Sequence, residues 1–391
     1  MNKDVLNTGV QKFINENLRT DISSLLLKHP EIEGVDTKII AEQIQAKLKS
    51  KKKLPTWFKT PSIYYPTKLS IEQTSSENTA LYKSSLIQGN TLFDLTGGFG
   101  VDSYYFAKYF KEVIHCEINH ELSQIAQHNF KVLKQHNISC QAVDGMKFLE
   151  HANKADCIYL DPSRRDHTKK KVFLLQDCTP DITELHERLL KKASTVLVKV
   201  SPLVDISKAI ADVPNINEIH IVAVDNQVKE MLLLISSRTS NTKIKAVNIK
   251  DNTIDEFIFE YTQEQQIQAI YSQPLTYLYE PNSAILKSGG FHMVSVHYNL
   301  KKLHANTHLY TSDSAIEFPG RRFLIKQVLP YNKQGLKKLK ALDKANITTR
   351  NFPLKVDKLR SQLKIKDGGT DYVFFCTDST GAKIAVITEK I

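Results

Sequence analysis

The apolar positions of this chain change period along its length. Over residues 4–50 they recur at three- and four-residue spacing, so Asp4–Asn17 and Val35–Leu48 each read as an amphipathic helix, with Pro30 and Gly34 between them. Lys51-Lys52-Lys53 followed by Pro55 marks a linker. Short, mostly apolar runs follow at Thr91–Asp94, Val113–Glu117, Ser139–Val143, Cys157–Leu160 and Val196–Val200. Such runs suit strands buried on both faces. Helical stretches lie between them, notably Val101–Phe110 and Leu122–Gln135. Thr74 with Glu77 has the spacing of a capping box for a helix just ahead of the first strand. Alternating strand and helix predicts a parallel sheet covered by helices on both faces. The last two strands, Ile219–Val224 and Met231–Ile235, are separated only by Asp225–Glu230. A parallel crossover takes roughly a dozen residues or more, so this pair is predicted to be antiparallel.

The pattern changes again after residue 238. Lys243–Ile249 and Glu256–Tyr261 alternate like the arms of a hairpin, and Phe291–Tyr298 reads as a further strand, with Pro274, Pro281 and Gly289-Gly290 in the intervening turns. The last segment reads strand, helix, strand, helix, strand, strand: Arg322–Leu329, Gln334–Lys344, Ile347–Phe352, Val356–Leu363, Asp371–Cys376 and Lys383–Thr388. Four regions are therefore expected: a helical 1–54, an α/β 55–238, a small α+β 239–320 and a second small α+β module at 321–391.

A chain of 391 residues can bury a core large enough for such a division. No run approaches the ~18 apolar residues of a membrane span, and no apolar segment follows a basic start, so no secretory signal is expected. The five cysteines form no Cys-x-x-Cys pair, so neither a metal site nor a disulfide framework is expected, and a reducing cytoplasm is the expected setting. The formal charge is +11, and it is concentrated: residues 321–391 hold sixteen Lys or Arg against six Asp or Glu, a net +10. Charge gathered in one module is the footprint expected of a surface that meets a phosphate backbone. Lys337, Lys338 and Lys340, on or beside one predicted helix, are the first candidates for nucleic-acid contact.

The candidate chemistry lies in three segments of the α/β region. The first is Asp94-Leu95-Thr96-Gly97-Gly98-Phe99-Gly100-Val101-Asp102, between a predicted strand and a predicted helix. Its glycines let the backbone turn sharply and approach a ligand closely, and the helix N-terminus faces the same place. The second is Glu117, which closes the next strand 19 residues beyond Gly98, where an acid can accept the hydroxyl protons of a ribose. The third is Asp161-Pro162-Ser163-Arg164-Arg165, at the edge where open α/β sheets bind ligands. A dinucleotide site would want Gly or Ala three residues after Gly100, where Ser103 stands.

These segments, with Lys53-Leu54-Pro55-Thr56-Trp57 and Leu69-Ser70-Ile71-Glu72-Gln73-Thr74-Ser75-Ser76-Glu77, resemble a bacterial family of class I S-adenosylmethionine methyltransferases that carry a ferredoxin-like insert and a THUMP-like C-terminal domain. Tyr277-Leu278-Tyr279-Glu280-Pro281-Asn282, Phe318-Pro319-Gly320-Arg321 and Asp367-Gly368-Gly369 fit the later modules, so the resemblance covers most of the chain from about Lys53. The Asp-x-Thr-x-Gly-x-Gly-x-Asp loop is also similar to that of guanine-N2 methyltransferases of small-subunit ribosomal RNA. More loosely, Phe106–Asn129 resembles the trimethylguanosine synthases. The resemblance implies a Rossmann-like, seven-stranded sheet ending in an antiparallel hairpin, with small α+β accessory domains and an N-terminal helical segment.

It also implies roles. Thr96, Gly98 and Gly100 would line the methionine end of S-adenosylmethionine, Glu117 the ribose and Asp144 the adenine amine. Asp94 and Asp102 would belong to the same cofactor site, Asp102 alternatively serving only as a helix-start acid, while Ser75 and Ser76 would either bind the cofactor's carboxylate or serve as ordinary helix caps. The Asp161 carboxylate and the Pro162 carbonyl would accept protons from an exocyclic amine, with Ser163 and Arg164 completing the acceptor loop and Arg165 meeting nucleic acid. The family's tetrad commonly ends in an aromatic residue that stacks on the target base. Arg164 stands there, and arginine can stack on a base or fork onto a phosphate. Carbon-5 methylation would want a cysteine nucleophile. Val198-Lys199-Val200-Ser201-Pro202 has none, and Cys178 reads as structural. Three functions are carried forward: methylation of a base in structured ribosomal or transfer RNA, at an exocyclic amine such as guanine N2; methylation of a protein or small molecule, with the basic module as a partner dock; and RNA binding without catalysis.

Overall fold

The computed structural model describes residues 1–28, 32–164, 174–238, 240–251 and 253–391. The chain forms two units, Met1–Asn217 with Met231–Thr239, and Glu218–Glu230 with Ser240–Ile391.

The first unit opens with α1 (Thr8–Glu16), α2 (Ile22–Lys28), α3 (Thr37–Lys53), α4 (Pro55–Lys59), α5 (Lys68–Gln73) and α6 (Glu77–Ser85). Asp36 caps α3 by accepting the Lys38 N–H at 2.7 Å, and Pro55 occupies the first turn of α4, where a missing N–H costs nothing. The apolar stripes of these helices do not form a separate core. Val10, Ile14, Ile40, Ile44 and Trp57 share one cluster with Phe99, Val101, Tyr105 and Ile125 of the α/β part. Asn129 exchanges two hydrogen bonds of 2.9 Å with the backbone of Tyr64, which fixes the register of that packing.

The alternation then runs β1 (Gly89–Asp94), α7 (Val101–Phe106), β2 (Phe110–Cys116), α8 (His120–Val132), β3 (Ile138–Gln141), α9 (Gly145–His151), β4 (Ala155–Leu160), α10 (Ile182–Lys192), β5 (Ala193–Val200), α11 (Ile206–Asp212), β6 (Ile216–Val224) and β7 (Gln227–Ser236). β1 pairs in parallel with β2 and β4, β2 with β3, and β4 with β5, whereas β7 runs antiparallel to β5. Within this unit the order is β3-β2-β1-β4-β5-β7. β6 turns into β7 through Asp225-Asn226, both at positive φ (50° and 60°), the backbone of a two-residue hairpin turn. The predicted parallel sheet, with β7 antiparallel to β5, is therefore observed, while residues 218–224 of β6 belong to the second unit, where they pair with a further strand instead of ending the sheet.

One expectation at the start of this unit is corrected. Thr74 and Glu77 do not form a capping box. Ser76 is the N-cap of α6, accepting the Thr79 N–H, and the Glu77 carboxylate turns elsewhere. It takes the Thr56 N–H (2.6 Å), the Thr56 hydroxyl (2.8 Å) and the Tyr105 hydroxyl (2.8 Å). Three donors distant in sequence outbid the local reciprocal bond.

In the second unit β8 (Lys243–Lys250) lies parallel to β6 and forms an antiparallel hairpin with β9 (Thr253–Glu260). After α12 (Tyr261–Gln266) come β10 (Tyr277–Pro281), α13 (Ser283–Ser288), α14 (Phe291–His297), β11 (Lys301–Lys302), β12 (Tyr310–Ser312), β13 (Gly320–Pro330), α15 (Lys333–Leu339), β14 (Asn346–Arg350), α16 (Val356–Leu363), β15 (Asp371–Thr377) and β16 (Lys383–Lys390). The strands form one sheet in the order β11-β12-β10-β13-β16-β15-β14. β16 feeds both of its faces, Ala385 and Ile387 packing with Leu339, Leu359 and Leu363, and Ile384 and Val386 with Leu278 and Phe323. Buried Glu280 of β10 accepts from Arg321 (2.6 Å) and Arg350 (2.5 Å), tying residues 277–281 to the basic module.

The predicted strand at Phe291–Tyr298 is instead helix α14. Glu264 of α12 accepts the His292 and Met293 N–H groups at 2.8 and 2.7 Å. A carboxylate on the unpaired N–H groups of a first turn stabilises a helix that alternation alone would not suggest. Among the described residues no helix is long and apolar enough to cross a membrane.

Candidate active site

The loop after β1 is shaped by its glycines. Gly98 and Gly100 take φ of 55° and 86°, and the Gly97 N–H is held by the Cys116 carbonyl at 2.8 Å. A Cβ on Gly100 would lie 2.4 Å from the Phe130 ring, and one on Gly97 2.3 Å from the His115 ring. Burial pushes His115 down to about 4, so a neutral imidazole floors the loop. A Cβ on Gly98 would meet only the Thr96 carbonyl oxygen, at 4.0 Å. That backbone faces open space, as a ligand cradle requires.

Glu117 follows β2 and is bound through both oxygens, by the Gly98 N–H at 2.8 Å and the Asn119 N–H at 2.7 Å. The predicted acid is thus fixed against the glycine loop. Asp161 follows β4, and its N–H donates to the Thr96 hydroxyl at 2.7 Å. The glycine loop is therefore hydrogen-bonded to both Glu117 and Asp161.

A cleft beside Asp161 is lined by Ser70 and Gln73 of α5, Thr74 and Ser75 of the α5–α6 connection, Asp94 to Asp102 in part, Leu122, Tyr159 and Asp161 itself. Asp94 is buried, accepting the Ser103 hydroxyl at 2.5 Å and the Thr96 N–H at 3.1 Å. Burial pushes its carboxyl up to about 7; the Ser103 hydrogen bond opposes this and the neighbouring Asp102 charge adds to it. Asp102 lies at the start of α7. It accepts from the Ser75 hydroxyl (2.8 Å) and the Tyr159 hydroxyl (2.7 Å) and pairs with fully buried Lys83 at 3.0 Å. Burial alone would raise Asp102. The Lys83 and Lys199 charges, with the Tyr159 and Ser75 hydroxyls, outweigh it and hold the group below its ordinary value.

Of the residues singled out from the sequence, Ser75, Asp94, Thr96, Gly98, Asp102 and Asp161 line one cleft, and Glu117 borders it through Gly98. Gly100 shapes the turn behind it. Ser76 caps α6, and Asp144 caps α9, giving one oxygen to the Met146 and Lys147 N–H groups at 2.8 and 3.1 Å. Pro162 is half-buried and Ser163 exposed, and Ser163-Arg164 pairs as a short antiparallel ladder with Cys178-Thr179. Arg165 lies outside the described residues. Lys337, Lys338 and Lys340 are exposed on or beside α15. The sequence reading did not single out Lys83, Tyr159 or Lys199. Lys83 sits in a helix of mixed composition, and the other two lie inside apolar strand runs where only three-dimensional pairing shows their partners.

A parallel sheet joined by an antiparallel β7, with a glycine loop, an acid after β2 and an Asp-Pro after β4 at one edge, is the class I methyltransferase fold. Family profiles agree: one described as RNA cap guanine-N2 methyltransferase matches residues 89–265, a ferredoxin-like domain 277–319 and a THUMP domain-like profile 320–390. A crystal structure from Porphyromonas gingivalis W83 that carries a provisional methyltransferase name is 32% identical, covers 97% of each chain and superposes with a TM-score of 0.88. The chain belongs to this family of class I methyltransferases with ferredoxin-like and THUMP-like modules. Partial likenesses include an rRNA methylase from Streptococcus thermophilus (12% identity, 42% of this chain and 95% of that one, TM-score 0.31). Another is M. capricolum TrmK in complex with S-adenosyl-homocysteine (16%, 42% and 69%, 0.32). A comparison with curated proteins finds no match.

Proposed function

We propose that this methyltransferase uses S-adenosylmethionine to methylate a nucleobase in RNA, at an exocyclic amine such as guanine N2. The profile match over residues 89–265 supports the target class, and the match over 320–390, with its net +10 charge, supports RNA as the partner. The cofactor would supply an electrophilic methyl group on a cationic sulfonium. The cleft suits such a ligand: Asp94, Asp102 and Asp161 line it and Glu117 borders it, while Gly98 leaves room for close approach. Glu117 would receive ribose hydroxyls, and Asp144, whose second oxygen has no hydrogen bond among the described residues, an adenine amine. The Ser75 hydroxyl is already shared between Lys83 and Asp102, so this seryl–lysyl pair would meet the methionine end. Alignment supplies most of the acceleration in such a displacement, up to ~7–11 kcal/mol in favourable systems.

The observation that carries the reading is the Asp161–Thr96 bond of 2.7 Å. It ties the Asp161 backbone to the glycine loop, with the Pro162 carbonyl next in the chain. Asp161→Ala is expected to abolish methyl transfer to RNA while S-adenosylmethionine still binds by calorimetry. Wild-type turnover in this variant would overturn the acceptor assignment.

A further inference from the structure

Lys199 is an unusual residue for its place. It lies near the end of β5, between buried Val198 and Val200, in register with Leu232 of β7. Its side chain is only 13% exposed. A lysine held there loses most of its hydration, which is costly unless the charge is paired. Its partner is Asp161. The last registered pair of β4 and β5 is Leu160–Val198, so Asp161 emerges one step further, beside Lys199, and the Lys199 ammonium contacts Asp161 Oδ2.

We propose that Lys199 is the positioning residue of the acceptor site: its ammonium fixes Asp161 Oδ2, so that Oδ1 alone is presented to an N–H of the incoming amine. The inference rests on the acceptor reading of Asp161. Two constraints then set that carboxylate and leave one oxygen available. The backbone N–H is held by Thr96, one oxygen is held by Lys199, and Oδ1 has no hydrogen bond among the described residues. A free carboxylate could rotate and take both amine protons, turning the nitrogen away from the cleft. A carboxylate with one occupied oxygen takes one proton and leaves the second for the Pro162 carbonyl. The contact with Asp161 also explains why a plain apolar residue would not serve at this strand position. The same ammonium lowers Asp102 across the cleft, so the lysine acts on both carboxylate sites at once.

The test compares Lys199→Met, Lys199→Arg and Asp161→Asn, with total RNA from cells lacking the gene as the methyl acceptor. Lys199→Met is expected to lose about 10²-fold in kcat, the scale of a misplaced reacting group, without a higher KM for S-adenosylmethionine, since removing a positive charge does not disfavour a cationic ligand. Lys199→Arg, which can hold the same oxygen, is expected to recover most of the loss. Crystal structures of the two variants supply a readout independent of turnover: the Asp161 carboxylate should leave its place in Lys199→Met and keep it in Lys199→Arg. An unmoved Asp161 in Lys199→Met, or wild-type kcat in that variant, overturns the proposal. If Asp161→Asn is also fully active, the acceptor reading itself fails. If Asp161→Asn is dead while Lys199→Met is not, only the role of Lys199 fails.

Discussion

At the scale of single residues, the site is a set of carboxylates whose surroundings push them apart. Asp102 is held ionised by Lys83, Lys199 and two hydroxyls, whereas burial pushes Asp94 up to about 7. Below that pH Asp94 is neutral, and above it the carboxylate is charged. A cationic ligand in the cleft favours the charged form, so binding should draw off a proton near neutrality. S-adenosylmethionine affinity is therefore expected to rise with pH through about 7. Calorimetry in buffers of different ionisation heat should register the released proton, and Asp94→Asn should flatten the dependence. A flat wild-type profile would contradict this assignment. Most of these residues were visible in the sequence because backbone geometry demands them: glycines at positive φ, an acid closing a strand, Asp-Pro at a sheet edge. Lys83 and Lys199 were not, because a buried cation is defined by partners that periodicity does not reveal.

At the scale of elements, the junction between the N-terminal helices and the glycine loop depends on Glu77. Its carboxylate gathers donors from α4 and α7, and Trp57 next to Thr56 stacks edge-on against Tyr104 at 4.9 Å and lies 6.3 Å from Phe99. Removing the carboxylate would strand the hydroxyl of buried Tyr105 and the two donors of half-buried Thr56. Glu77→Ala is expected to cost ~1–3 kcal/mol of stability for each donor left without a partner. Trp57 is the only tryptophan, so its emission reports the event directly. Urea unfolding followed by that emission should shift to lower concentration, and an unchanged midpoint would count against the clamp. The strands and the tight turn from β6 into β7 followed from local pattern and connection length. The capping box and the strand at Phe291–Tyr298 did not survive, for one shared reason. In each case a carboxylate distant in sequence, or distant donors, decided the local conformation.

At the scale of the whole molecule, the basic module is the remaining part of the account. Several of its charges are committed internally: Arg321 and Arg350 to Glu280, Lys326 to Asp371 and Glu389, Arg360 to Asp367. Lys337, Lys338 and Lys340 are exposed and carry no ion pair among the described residues. Net charge was legible in the sequence, but which lysines are uncommitted was not. Reversing these three to Glu is expected to weaken RNA binding across sequences and flatten its salt dependence, whose log–log slope is roughly −0.7 per phosphate contact on single strands. Cofactor affinity should stay the same. Unaltered RNA affinity would leave the module as a solubilising surface.

The most direct test of the central claim is transfer of labelled methyl from S-adenosylmethionine by the full chain into a cell extract, with and without ribonuclease. The label is expected in RNA, lost on ribonuclease treatment, and recovered after digestion in a nucleoside methylated on an exocyclic amine. Label that persists in protein or small molecules after ribonuclease treatment, or no transfer from a protein that binds the cofactor, would contradict the account.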